Sequence, residues 1–84
     1  MNNLEQKKVA TEITRLIIFY LESLSIELSD IKKATGQAKS VFLQENGKIA
    51  LHSEQLLWNY AVKKTNDPHI GLHMAKSVTL ESLG

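Results

Sequence analysis

The chain predicts a mainly all-α fold, a small four-helix domain, and three observations carry that prediction. Apolar residues recur at three- and four-residue spacing over most of the 84 residues, the pattern of helices that bury one face. Helix-start and helix-stop residues fall where those apolar stripes begin and end. The one strong non-helical signal is Asn46-Gly47, whose tolerance of positive φ suits a tight hairpin turn.

Leu4 to Leu24 has the pattern of one long amphipathic helix. Val9, Ile13, Leu16, Ile17, Tyr20, Leu21 and Leu24 form its apolar stripe, with Glu5, Gln6, Lys7, Lys8, Glu12 and Arg15 opposite. Ile18 and Phe19 carry apolar surface round to a second side, so the end of this helix is buried on more than one face. Either the domain's own core covers both faces, or Ile18 and Phe19 meet a partner subunit or a further part of the protein. A second, short helix runs from Ser29 to Thr35, with Ser29 as N-cap, Asp30 at the positive helix end and Gly36 as the stop.

Between Gln37 and Leu51 two readings stay open. Asn46-Gly47 between Val41-Phe42-Leu43 and Ile49-Ala50-Leu51 fits a short β-ribbon, while Phe42 could equally extend a helical turn. A third helix starts at Leu51 or Ser53 and runs to Lys64, with Leu56, Leu57, Tyr60 and Ala61 inward. Lys63 and Lys64 suit its negative end, and Asn66 is a left-handed stop. The fourth helix, Pro68 to Ser77, buries some combination of Ile70, Leu72, Met74 and Val78. Asp67 is its expected N-cap and Pro68 its first residue. Gly71, one turn in, costs roughly 1 kcal/mol against alanine, which points to a close approach by another backbone.

Composition narrows the function classes. A chain of this length buries only a little over ~60% of its unfolded surface, so one small domain is expected. Hydrophobic residues make up 43%, ordinary for a globular chain, and cysteine is absent; disulfides, thiolate catalysis and cysteine-ligated zinc are excluded. The formal charge of +1 argues against binding DNA mainly through phosphates. The N-terminus lacks an export pattern, and the longest apolar run, Leu16 to Leu21, is far short of the ~20 residues needed to span a bilayer. A cytoplasmic protein with no membrane contact is the expectation.

Several side-chain constellations bear on chemistry. Ile31, Gly36 and Phe42 fit a helix-turn-helix DNA reader, but Lys32, Gln37 and Glu45 occupy positions that the motif needs small or apolar. His69 and His73 share a helix face at metal-ligand spacing, with His52 as a distant third. Ile70 stands where a zinc hydrolase of the HExxH type needs glutamate, so solvated histidines are the better reading and no metal is expected. Trp58 lies at the edge of its stripe, either half-buried core or an aromatic anchor at a subunit contact. Gly71 and Ala75 form a small-x3-small pair suited to tight helix packing. No phosphate-cradling loop, nucleophile–base set or paired-carboxylate site is present. No catalysis and no cofactor are expected.

Around Asn66-Asp67-Pro68-His69-Ile70-Gly71-Leu72 the order of features is more specific than any one of them. Leu56-Leu57 and Ala61 precede it; Met74-Ala75 follow, and Leu83-Gly84 close the chain. Upstream stand Tyr20-Leu21-Glu22-Ser23-Leu24-Ser25-Ile26 and Lys48-Ile49-Ala50-Leu51. This series resembles the N-terminal, arabinose-binding-type regulatory domain of AraC-type bacterial transcription regulators. Asp67, Pro68, Gly71, Leu72 and Gly84 are the matching motif residues. Ser25 departs from the family's usual glycine, and Ala50 from its frequent proline. The resemblance implies that residues 1–84 are the N-terminal portion of a domain that senses a small effector or self-associates as a homodimer. Its second half and the C-terminal helix-turn-helix DNA-binding domain would then lie beyond Gly84, and DNA would be contacted only there. It identifies no effector contact; Ile18, Phe19 and Trp58 are the candidate self-association surface. The rival readings are a stand-alone helix-turn-helix module at Ser29 to Asn46 and a ligand-free helical dimerisation module.

Overall fold

A three-residue strand, β1 (Lys8–Ala10), opens the part of the chain that the computed structural model describes, residues 7–83, with side chains through residue 77. Five helices follow among the described residues: α1 (Glu12–Ser23), α2 (Ile31–Thr35), α3 (Lys39–Phe42), α4 (Leu51–Thr65) and α5 (Ile70–Leu83). A second strand, β2 (Lys48–Ala50), leads straight into α4. The fold is mainly helical with one small antiparallel sheet. The start of the expected first helix at Leu4, the burial of Val78 and the motif residue Gly84 lie outside the described residues.

The ribbon exists, but with a different partner. β2 pairs with β1 in the register Lys8↔Ala50, Val9↔Ile49, Ala10↔Lys48, not with Val41-Phe42-Leu43, which instead form α3 and its end. Two residues of the expected stripe explain the outcome. Val9 and Ile49 are branched, Val9 between two exposed neighbours and Ile49 between exposed Lys48 and half-buried Ala50, which suits a pleated, half-buried strand. β1 thus occupies part of the expected first helix, so α1 begins only at Glu12, and α3 makes five helices among the described residues where four were expected.

Three connections end on left-handed residues. At the end of α1 the Ser25 N–H donates to the Glu22 carbonyl (2.9 Å) and the Ile26 N–H to that of Leu21 (3.2 Å). That is a Schellman cap with Ser25 at φ 60°. Gly36 (φ 79°) ends α2, donating to the Lys32 carbonyl at 2.8 Å. Asn66 (φ 53°) ends α4 as expected. At the start of α2, Asp30 rather than Ser29 holds the N-cap position, and its side chain makes no cap hydrogen bond.

The core gathers Ile17, Ile18, Leu21, Leu28, Ile31, Phe42, Ile49, Leu57, Tyr60, Ala61, Ile70 and Met74. α4 is its axis, with α1 and α2 packed on it; α5 touches both α1 and α4. α1 is rolled relative to the expected stripe. Its buried face is Thr14, Ile17, Ile18 and Leu21, while Ile13 and Leu24, placed inward by periodicity, are 41% and 47% exposed. Leu72 is likewise 58% exposed, and α5 buries Ile70 and Met74 instead. Thr11 and Thr14 cause the roll. The Thr14 hydroxyl reaches the Phe42 carbonyl at 2.8 Å and the Thr11 hydroxyl that of Gln44 at 2.5 Å. Both threonines are buried, so the helix turns its small hydroxylated side toward the loop whose carbonyl groups it must satisfy.

Candidate functional site

The joint between α4 and α5 is built from five consecutive residues. Left-handed Asn66 reverses the chain, and the Asp67 N–H donates to the Val62 carbonyl at 3.3 Å. The Asp67 carboxylate accepts the His69 N–H at 2.9 Å, and its carbonyl accepts the Ile70 N–H at 3.3 Å. Pro68 is thus the second residue of a tight turn, where its fixed φ is already suitable. α5 starts two residues later than expected, at Ile70. Asp67 still performs capping chemistry, toward the turn instead of a full first helical turn.

The second Asp67 oxygen lies 2.6 Å from His73 Nδ1. That hydrogen bond is the main cause of an Asp67 titration range lowered below the ordinary 3.8. His73 therefore ties the first turns of α5 to the joint, and His69 contributes its backbone N–H to the same carboxylate. Among the described residues no group of three or more His, Cys, Asp or Glu side chains is arranged to hold a metal ion; His52 is exposed on α4.

Gly71 does not admit a neighbouring backbone. Among the described residues a Cβ there would meet only the Trp58 ring, at an ordinary 3.8 Å. Trp58 is half-buried, packed on the core from α4, with its ring edge against α5. Ile18 is 0% exposed, so it belongs to the core and drops out of the candidate self-association surface. Phe19, at 49% exposed, remains on the surface, with the Arg15 guanidinium 5.6 Å from its ring centre.

A second polar cluster joins α2 to α4. Asp30 accepts from the Tyr60 hydroxyl at 2.6 Å and pairs with Lys64 at 2.9 Å. Lys64 also lies 5.6 Å from the centre of the Tyr60 ring. The Tyr60 hydrogen bond, then Lys64, lowers the Asp30 titration range, while burial first and Asp30 second raise that of Tyr60. Sequence periodicity placed Tyr60 inward but had no signal for its partner, which lies thirty residues away.

The short helices around Gly36 offer little to a DNA groove. α3 is a single turn of four residues, and Phe42 at its end is fully buried. No described helix is long and apolar enough to cross a membrane.

No family model, curated protein or solved structure matches this chain.

Proposed function

We propose that the chain is the N-terminal portion of the regulatory domain of an AraC-type bacterial transcription regulator, working in the cytoplasm. In this reading the segment takes part in sensing a small effector, and a separate C-terminal domain contacts DNA. Effector binding would shift the population of regulator states that arrange the DNA-binding units.

The observation that supports this reading best concerns the two departures from the family pattern. Ser25 stands where the family has glycine, and its φ of 60° is a conformation that glycine adopts without strain. Ala50 stands where proline is frequent, and its φ of −59° matches a proline ring. Flanking bonds from Thr11 N–H to Gly47 O and from Leu51 N–H to Lys7 O put Ala50 in a non-hydrogen-bonded pair, so no ladder bond would be lost to proline. Both substituted positions thus retain the backbone that the family's residues favour.

Reading the codons that follow Gly84 tests the assignment directly. The expected result is a further regulatory half and then two helix-turn-helix units. A frame that closes without them removes the regulator reading. The rival DNA-binding reading predicts salt-dependent retention of duplex DNA by the 84-residue chain. The regulator reading predicts none at low salt.

A further inference from the structure

One carboxylate serves two histidines at the start of α5. Asp67 accepts the His69 N–H on one oxygen at 2.9 Å, and its other oxygen lies 2.6 Å from His73 Nδ1. The His73 N–H donates to the His69 carbonyl at 3.2 Å, so the two residues stand one helical turn apart. At that spacing two Cβ atoms are about 5–6 Å apart on one helix face. Ile70 and Met74 take the buried side of the same turn, and both histidines are exposed.

The contact decides which ring nitrogen of His73 is free. An ionised carboxylate only accepts, so in the neutral imidazole Nδ1 carries the proton and the Nε2 lone pair is left for another partner. A metal-ligating histidine has this arrangement: one nitrogen binds the ion while a carboxylate holds the N–H of the other. Helical spacing gives no sign of such a carboxylate, because Asp67 lies before the turn, six residues from His73.

We propose that His69 and His73, the latter through Nε2, hold one divalent transition-metal ion of the kind that imidazole suits (zinc, nickel or copper), with Asp67 as the positioning residue behind His73. No group of three such donors is arranged around an ion site among the described residues. Water therefore fills the remaining coordination positions, and binding is modest and reversible. The whole chain has three histidines and no cysteine, so His52, exposed on α4, is the one rival imidazole. A bound ion bridges the two imidazoles across the first turn of α5 and fixes that turn to the joint. The site stands whether or not the chain is a regulator, because all of its residues lie within this one joint.

Calorimetric titration of the untagged chain with nickel or zinc chloride, up to about 1 mM free ion at neutral pH, tests it. One ion should bind per chain, and magnesium chloride should give no binding heat. His69→Ala and His73→Ala should each weaken binding by about tenfold or more, while His52→Ala leaves it unchanged. Asp67→Asn should cost about tenfold, the usual effect of losing a carboxylate behind a ligating imidazole. Saturating zinc should raise the melting temperature of the wild type but not of His73→Ala, since the ion binds the folded joint. On adding zinc, nitrogen-detected NMR should show the Nε2 resonance of His73 moving while its Nδ1 keeps the proton, a signature that a purely structural Asp67 would not produce. Thermal melts by circular dichroism verify that each variant is folded. A wild-type chain that takes up neither ion overturns the proposal, a result that needs no variant to fold. So does binding that survives the loss of His69 or of His73, that is lost with His52, that runs through His73 Nδ1, or that is untouched in Asp67→Asn.

Discussion

The Thr14 hydroxyl donates to the Phe42 carbonyl oxygen at 2.8 Å, between two fully buried residues twenty-eight positions apart. This bond and its neighbour from Thr11 to Gln44 hold the N-terminal half of α1 against the segment that links α3 to β2. Replacing Thr14 by valine keeps the shape and removes the donor. Such a change should cost about 1–3 kcal/mol, because the Phe42 carbonyl loses a partner away from water. Urea unfolding of Thr14→Val and Thr14→Ser checks this, with the serine variant expected to retain most of the bond.

Ser25→Gly should raise stability by up to about 1 kcal/mol, since a non-glycine residue is strained in the left-handed region. Ala50→Pro should add roughly 0.4–1 kcal/mol by restricting the unfolded chain. Ile49 before it is already extended, as a residue preceding proline prefers. The midpoints of denaturant curves measure both, and a loss at Ala50→Pro would mean that its N–H is needed.

Gly71→Ala is expected to be neutral or stabilising, by at most about 1 kcal/mol, because among the described residues an added methyl meets only the Trp58 ring at 3.8 Å. A backbone packed against Gly71 would give the opposite sign. A thermal melt of the variant separates the two cases.

Stability should respond to pH at both extremes. Asp30 and Asp67 titrate below the ordinary 3.8 in the folded chain. Their contribution is present above that value and is lost as pH falls through the lowered folded range. Tyr60 is raised above its ordinary 10.0, so its contribution is present below pH 10 and is lost as pH climbs toward the folded value. Melting temperature followed against pH should therefore fall at both ends, with Asp30→Asn and Asp67→Asn each flattening the acid limb and Tyr60→Phe the alkaline limb.

Local chemistry made much of this architecture legible from sequence. The third helix, its left-handed stop at Asn66, the Gly36 stop and the inward Leu57, Tyr60 and Ala61 all depend on residues within a turn or two of one another. The Asn46 turn was legible for the same reason, since Asn46 takes φ 54°. Which strand that turn would serve was decided elsewhere. Val9 and Ile49 pair across forty residues, and no local pattern ranks that partner above Val41-Phe42-Leu43. The roll of α1 is of the same kind. Apolar spacing placed Ile13 and Leu24 inward, yet buried carbonyl groups on a distant loop needed the Thr11 and Thr14 hydroxyls more. Periodicity counts apolar side chains on one helix, whereas the facing of that helix is set by every group it must satisfy across the fold. The helices α2 and α4 and their left-handed stops thus came from the sequence itself; the strand at Lys8–Ala10 with its partner, the short helix α3, helix facing and the exposed flank of α1 came from the tertiary structure.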